Sequence, residues 1–117
     1  MILAVLDDLM FTSKIRTTAN QLGVRITFAR SSASALDEMR RQRPSAVIFD
    51  LNNPRTDPMG TLASMKSDAA LAAIPTIGFV SHVQVDLIDA ARQAGMTEVL
   101  PRSAFAGGLA DILNRYK

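Results

Sequence analysis

Apolar positions fall into two alternating kinds of segment along the chain. Short apolar runs occupy residues 2–6 (Ile-Leu-Ala-Val-Leu), 46–49 (Ala-Val-Ile-Phe), 76–80 (Thr-Ile-Gly-Phe-Val) and 98–100 (Glu-Val-Leu), while residues 24–29 (Val-Arg-Ile-Thr-Phe-Ala) alternate with period two. Runs of this length predict strands, and the nearly unbroken ones suit strands covered on both faces. Pro75 leads into the fourth strand. Pro101 is expected to stop the fifth, because proline cannot donate to a sheet ladder.

Between these runs the apolar spacing changes to three and four residues, which predicts helices. Phe11, Ile15, Ala19 and Leu22 form one stripe, closed by Gly23. Ala33, Leu36 and Met39 form a second, with Ser31 or Ser32 as its N-cap. Leu62, Met65 and Ala69 mark a third; Leu87, Ala91 and Ala94 a fourth, ended by Gly95. Phe105, Leu109, Ile112 and Leu113 mark the last, whose first turn Gly107-Gly108 should weaken. Met10, Met39 and Met65 read as core filler.

Five βα units follow, within one domain covering residues 1–117. Right-handed crossovers turn such units into a parallel sheet with helices on both faces. The expected fold is α/β, a flavodoxin-like doubly wound sheet of order 2-1-3-4-5, whose ligands bind beyond the carboxyl ends of the strands.

Composition narrows the chemistry. The chain has no cysteine and one histidine, His82, so thiolate sites, disulfides and two-histidine zinc sites are excluded. The 13 basic and 11 acidic residues leave a net charge of +2, and the basic residues are scattered except around Arg40, Arg41 and Arg43. No nucleic-acid-binding stripe is therefore expected. No apolar run approaches the ~20 residues of a membrane span, and no secretory leader is recognisable, so a cytoplasmic protein without a membrane partner is expected.

At the strand ends stand Asp7-Asp8 after the first, Asp50 after the third, Ser81-His82 after the fourth and Pro101-Arg102-Ser103 after the fifth. Crowded carboxylates repel one another unless a cation joins them. A hard divalent ion is suited to that role: Mg²⁺ takes one or two protein carboxylates, keeps waters and completes its shell with phosphate oxygens. A hydroxyl and a cation nearby suit the remaining oxygens of a phosphoryl group. Phosphoryl transfer to a carboxylate is implied, with Asp50 on the central strand as acceptor.

These residues resemble the receiver domain of bacterial two-component response regulators, of chemotaxis type, over essentially the whole chain. The resemblance rests on Asp7-Asp8, on Asp50-Leu51-Asn52-Asn53-Pro54 (D-x-x-x-P), on Ser81 and on Ala94-Gly95. It implies a phosphoryl group taken onto Asp50 from a histidine kinase or phosphotransfer protein. It further implies Mg²⁺ held by Asp8, Asp50 and the main-chain carbonyl of Asn52, and indirectly by Asp7, with Ser81 and Arg102 contacting the phosphate. The chain departs from the family at Arg102-Ser103, where lysine-proline is usual, at Val99, where an aromatic switch is usual, at His82, and at Pro58 after Asp57.

Beside this reading stands a phosphorylation-independent receiver-like interaction module, to which Val99, Arg102, Ser103 and His82 point. A bland reading also stands: Asp7-Asp8 as turn residues, Ser81 as a helix cap, Arg102 as a solvated cation. An aspartyl-nucleophile hydrolase lacks its D-x-D-x-T signature, and no G-x-G-x-x-G marks a dinucleotide site. No output domain is expected within the chain, so output is expected to pass to a protein partner, to a homodimer or to a domain outside it, and the resemblance implies contacts on the face between the fourth and fifth helices.

Overall fold

The structure is a computed structural model describing residues 1–81 and 84–117. Strands β1 (Ile2–Val5), β2 (Ile26–Ala29), β3 (Ala46–Asp50), β4 (Thr76–Val80) and β5 (Glu98–Pro101) form one parallel sheet of order β2-β1-β3-β4-β5. Helices α1 (Leu9–Leu22), α2 (Ser32–Arg41), α3 (Pro58–Ser67), α4 (Val85–Gln93), α5 (Arg102–Gly107) and α6 (Leu109–Tyr116) connect and flank it. This is the doubly wound α/β architecture expected from the pattern.

Side-chain alternation along the strands divides the core into two. Leu3, Val5, Val47, Phe49, Val80 and Val99 pack with Met39, Leu62, Met65 and Ala91, which places α2, α3 and α4 on one face. Ile2, Ala4, Ile48, Ile77 and Phe79 pack with Ile15, Ala19, Phe105, Ile112 and Leu113, which places α1, α5 and α6 on the other. Every residue of β1, β3 and β4 is buried, as their unbroken apolar runs require.

Several ends differ from expectation for local reasons. Pro101 does not stop β5 but is its last residue, opposite Val80; β5 is an edge strand, where a missing N–H is tolerated. The last helical pattern is split into α5 and α6 at Gly108, a sharper effect of the glycine pair than a weakened turn. Helix α3 ends at Ser67, and Ala69 stands exposed in the turn after it. Met10 is 83% exposed on the first turn of α1, so it is not core filler, whereas Met39 and Met65 are. Gly23 closes α1 in the left-handed region, and Ser31 caps α2 through the N–H of Ser34 at 3.1 Å.

Candidate active site

The alternation that builds the core also aims the acceptor candidate. Asp50 is the last residue of β3, in register with Phe79 of β4. It shares the parity of Ile48 and so points to the α1/α5 side, where Phe11, Phe79 and Phe105 stack, Phe11–Phe79 at 4.9 Å and Phe79–Phe105 at 4.5 Å. It is only 3% exposed.

Arg102 belongs to the first turn of α5 and not to a free loop, as the fifth-strand reading had it. Its guanidinium carbon lies 5.0 Å from the Phe11 ring centre and 5.8 Å from that of Phe79, a cation–π seat. From there Nη2 reaches to 3.8 Å from Asp50 Oδ1, an ion pair too long for a direct hydrogen bond. Arg102 Nε is buried and has no hydrogen-bond partner among the described residues. The side chain is still 42% exposed, so two rings and a buried carboxylate orient a cation that remains partly solvated.

A cleft of about 640 Å³ brings Asp7, Asp8, Asp50, Asn52 and Arg102 together, with Leu9, Met10, Asn53, Pro54 and Arg55 completing its wall. Asp8 is the N-cap of α1, its Oδ1 accepting from the N–H groups of Met10 and Phe11 at 2.9 and 3.1 Å. Asp7 accepts from Asn53 Nδ2 at 3.3 Å and pairs with Arg55 Nη1 at 3.2 Å. Asp50 Oδ1 accepts from the N–H of Asn52 at 3.0 Å. Burial pushes the Asp50 carboxyl above its ordinary value; the Asn52 N–H and Arg102 oppose this, and the charges of Asp8 and Asp7 add to it.

Ser81 lies at the far side, lining an adjoining groove of about 630 Å³ with Asn52, Arg102, Ser103 and Ala106. Its N–H donates to Asn52 Oδ1 at 2.8 Å, while Asn52 Nδ2 donates to Gln84 Oε1. The cap of α4 is Gln84, which makes no side-chain capping bond, so Ser81 does not serve as that cap. His82, one of the departures from the family pattern, lies outside the described residues. Val99, at the position of the usual aromatic switch, is buried on the α4 side of the sheet.

Among the described residues no three Asp, Glu or His side chains are gathered tightly enough to hold a metal by side chains alone. Asp7, Asp8 and Asp50 share the cleft but are each engaged by their own chain. The donor set nevertheless fits a small hard cation, because Mg²⁺ needs only one or two carboxylates, a carbonyl and waters.

Sequence reading gives three residues no role here: Phe11 reads as part of the core stripe, Asn53 as an unassigned position within D-x-x-x-P, and Arg55 is not singled out. Asn53 before a proline is a cap signal, and it does cap the 3₁₀ turn Pro54–Thr56, accepting from the N–H of Arg55 at 3.0 Å.

Comparison with known proteins agrees with this architecture. The family model described as the response regulator receiver domain matches residues 2–114. A response regulator from Hahella chejuensis superposes with a TM-score of 0.87 at 19% identity, over 98% of this chain and 92% of that one. The chemotaxis response regulator CheY4 of Vibrio cholerae gives 0.84 at 18% identity, over 99% and 97%. The receiver domain of the sensor histidine kinase PA1611 from Pseudomonas aeruginosa, whose structure has a magnesium ion coordinated in the active-site cleft, gives 0.83 at 24% identity, over 98% and 94%. No helix among the described residues is long and apolar enough to cross a membrane. With its sheet order, its acidic strand ends and a family match running nearly end to end, the chain belongs to the receiver domains of response regulators.

Proposed function

We propose that the chain is a phosphoacceptor domain of a phosphorelay, with Asp50 as the acceptor. The observation that carries this reading is the placement of Asp50: it is buried at the end of the central strand, facing one cleft with Asp7, Asp8 and Arg102. A carboxylate oxygen of Asp50 attacks the phosphorus of a phosphohistidine on a histidine kinase or phosphotransfer protein. The O–P bond forms as the P–N bond breaks, and the imidazole leaves with the bonding pair. The groups suited to hold Mg²⁺ are Asp8, Asp50 and the Asn52 carbonyl, with Asp7 acting through water; when bound, the ion supplies positive charge to the transferring oxygens. Arg102 leans over the Asp50 oxygens from its aromatic seat, and Ser81 stands across the adjoining groove, both suited to phosphate oxygens. Output passes by protein–protein contact, to a separate partner or a second copy. Residues 1–117 act as one receiver unit, in the cytoplasm, with no nucleic-acid or membrane partner.

A second reading has its own support. The Asp50–Arg102 and Asp7–Arg55 pairs supply internal counter-ions to the cleft, which suits a phosphorylation-independent interaction module. Adding beryllofluoride with Mg²⁺ and following amide shifts separates the two. The acceptor reading expects shifts at Asp50, Asn52 and Ser81 that Asp50→Asn abolishes. No shift at millimolar Mg²⁺, together with unchanged partner binding by Asp50→Asn, would establish the module instead.

A further inference from the structure

The short loop after β3 holds Asp7 from two directions. Asn53 Nδ2 donates to Asp7 Oδ1 at 3.3 Å, and Arg55 Nη1 lies 3.2 Å from Asp7 Oδ2, so both oxygens of that carboxylate are engaged. The two holders are themselves tied, because Asn53 Oδ1 accepts from the N–H of Arg55 at 3.0 Å. Asn53 is buried, whereas the Arg55 side chain is 81% exposed, so one arm of the clamp is fixed and the other is free to swing into water. Among the described residues the contacts of the other two acids involve a single oxygen each: Asp8 Oδ1 caps α1, and Asp50 Oδ1 takes the Asn52 N–H and faces Arg102. The cleft thus offers an incoming cation two partly unengaged carboxylates and one that is fully engaged.

We propose that Arg55 is a chain-borne competitor for divalent cations, a specificity residue that sets the ion affinity of the cleft. Resting on Asp7, its guanidinium supplies positive charge at the rim of the acidic group. Entry of Mg²⁺ requires Asp7 to be freed, directly or for a water-mediated contact, and the guanidinium to withdraw from a like charge. Because Arg55 is exposed and its pair with Asp7 is of the surface kind, withdrawal is cheap, and the device tunes affinity without closing the site. The pair is also screened by salt, so its effect is greatest at low ionic strength. This inference rests on the reading of the cleft as a divalent-ion site.

The test is titration with Mg²⁺ alone, in the absence of any phosphoryl donor or analogue, following the amide signals of Asn52 and Ser81 in the wild type, Arg55→Ala, Arg55→Gln and Asp50→Asn. Arg55→Ala and Arg55→Gln are expected to bind Mg²⁺ roughly 2–5-fold more tightly than the wild type at low salt, as removal of an exposed competing charge allows. That advantage should shrink at about 0.3 M salt, where the Debye length falls well below its low-salt value. Asp50→Asn should lose the response. Equal affinity of wild type and both Arg55 variants, with Asp50→Asn silent, would overturn the role of Arg55 and leave the ion site standing. If neither the wild type nor either Arg55 variant titrates at tens of millimolar Mg²⁺, the reading of the cleft as an ion site fails, and the role of Arg55 with it.

Discussion

Asp50→Asn is expected to stabilise the fold. The carboxyl is nearly buried, and the sum of its surroundings disfavours the ionised form: burial and the charges of Asp8 and Asp7 outweigh the Asn52 N–H and Arg102. A carboxyl whose folded value is raised holds its proton longer in the folded state than in the unfolded one. Stability therefore falls as pH rises from the ordinary value of 3.8 through the raised folded value, and the deficit stays in full above it. Asparagine keeps the shape and still accepts the Asn52 N–H, but removes the charge. Most single substitutions change stability by about 0.5–3 kcal/mol; with Arg102 opposing, a gain of about 1–2 kcal/mol is expected at neutral pH. For a domain of this size that corresponds to a rise of roughly 3–10 °C in Tm. The assay is thermal and urea unfolding of wild type and variant from pH 3 to 8 with divalent ions chelated. The gap should be widest near neutrality and close as pH falls towards the ordinary carboxyl range. A variant no more stable than the wild type at neutral pH, or a gap that widens on acidification, would refute the reasoning.

Three further outcomes follow from the same geometry. Gly78→Ala is expected to cost about 1–3 kcal/mol by overpacking, because an added Cβ would lie 2.4 Å from Met96 Sδ and 2.9 Å from Leu51 Cδ1; urea unfolding measures it. Asp8→Ala should lose about 1 kcal/mol of capping while Asp8→Asn keeps it, yet both should lose their response to Mg²⁺, which separates the helix-capping role from the ion-binding one. Arg102→Ala removes the cation paired with Asp50, so the Asp50 midpoint, followed through its ¹³C carboxyl signal, should rise further; an unchanged or lower midpoint would refute the pairing.

The fold was legible because its signals are local and repeated. Unbroken apolar runs at residues 2–6, 46–49 and 76–80 marked the strands buried on both faces, and glycines at 23 and 95 marked the ends of α1 and α4, both at positive φ. The misreadings share a cause, which is that position in the sheet or helix decides what a residue type can do. Pro101 was read as a breaker, but at an edge strand its missing N–H has no partner to lose. Met10 fits an apolar stripe by type, yet its place beside the N-cap Asp8 turns it to solvent.

The candidate site was legible only in its charges. The strand-end rule carried Asp7, Asp8, Asp50 and Arg102 to one cleft, but nothing in the spacing shows which cation answers which acid. Arg55 reaches Asp7 across 48 positions of sequence, and Arg102 is aimed by rings from α1 and β4, so the balance is set by long-range packing. That balance also bears on the two functional readings. Asp50 sits where its charge is opposed by burial and by two neighbouring acids, and the Asn52 N–H and Arg102 together still leave it raised. A module that needed only shape would be better served there by asparagine or an apolar residue, since either removes the conflict. Holding a costly charge at the end of the central strand is a violation of local consistency of the kind that proteins concentrate at working sites. The acceptor reading gives that charge a chemical use, whereas the phosphorylation-independent reading uses it only as the partner of Arg102.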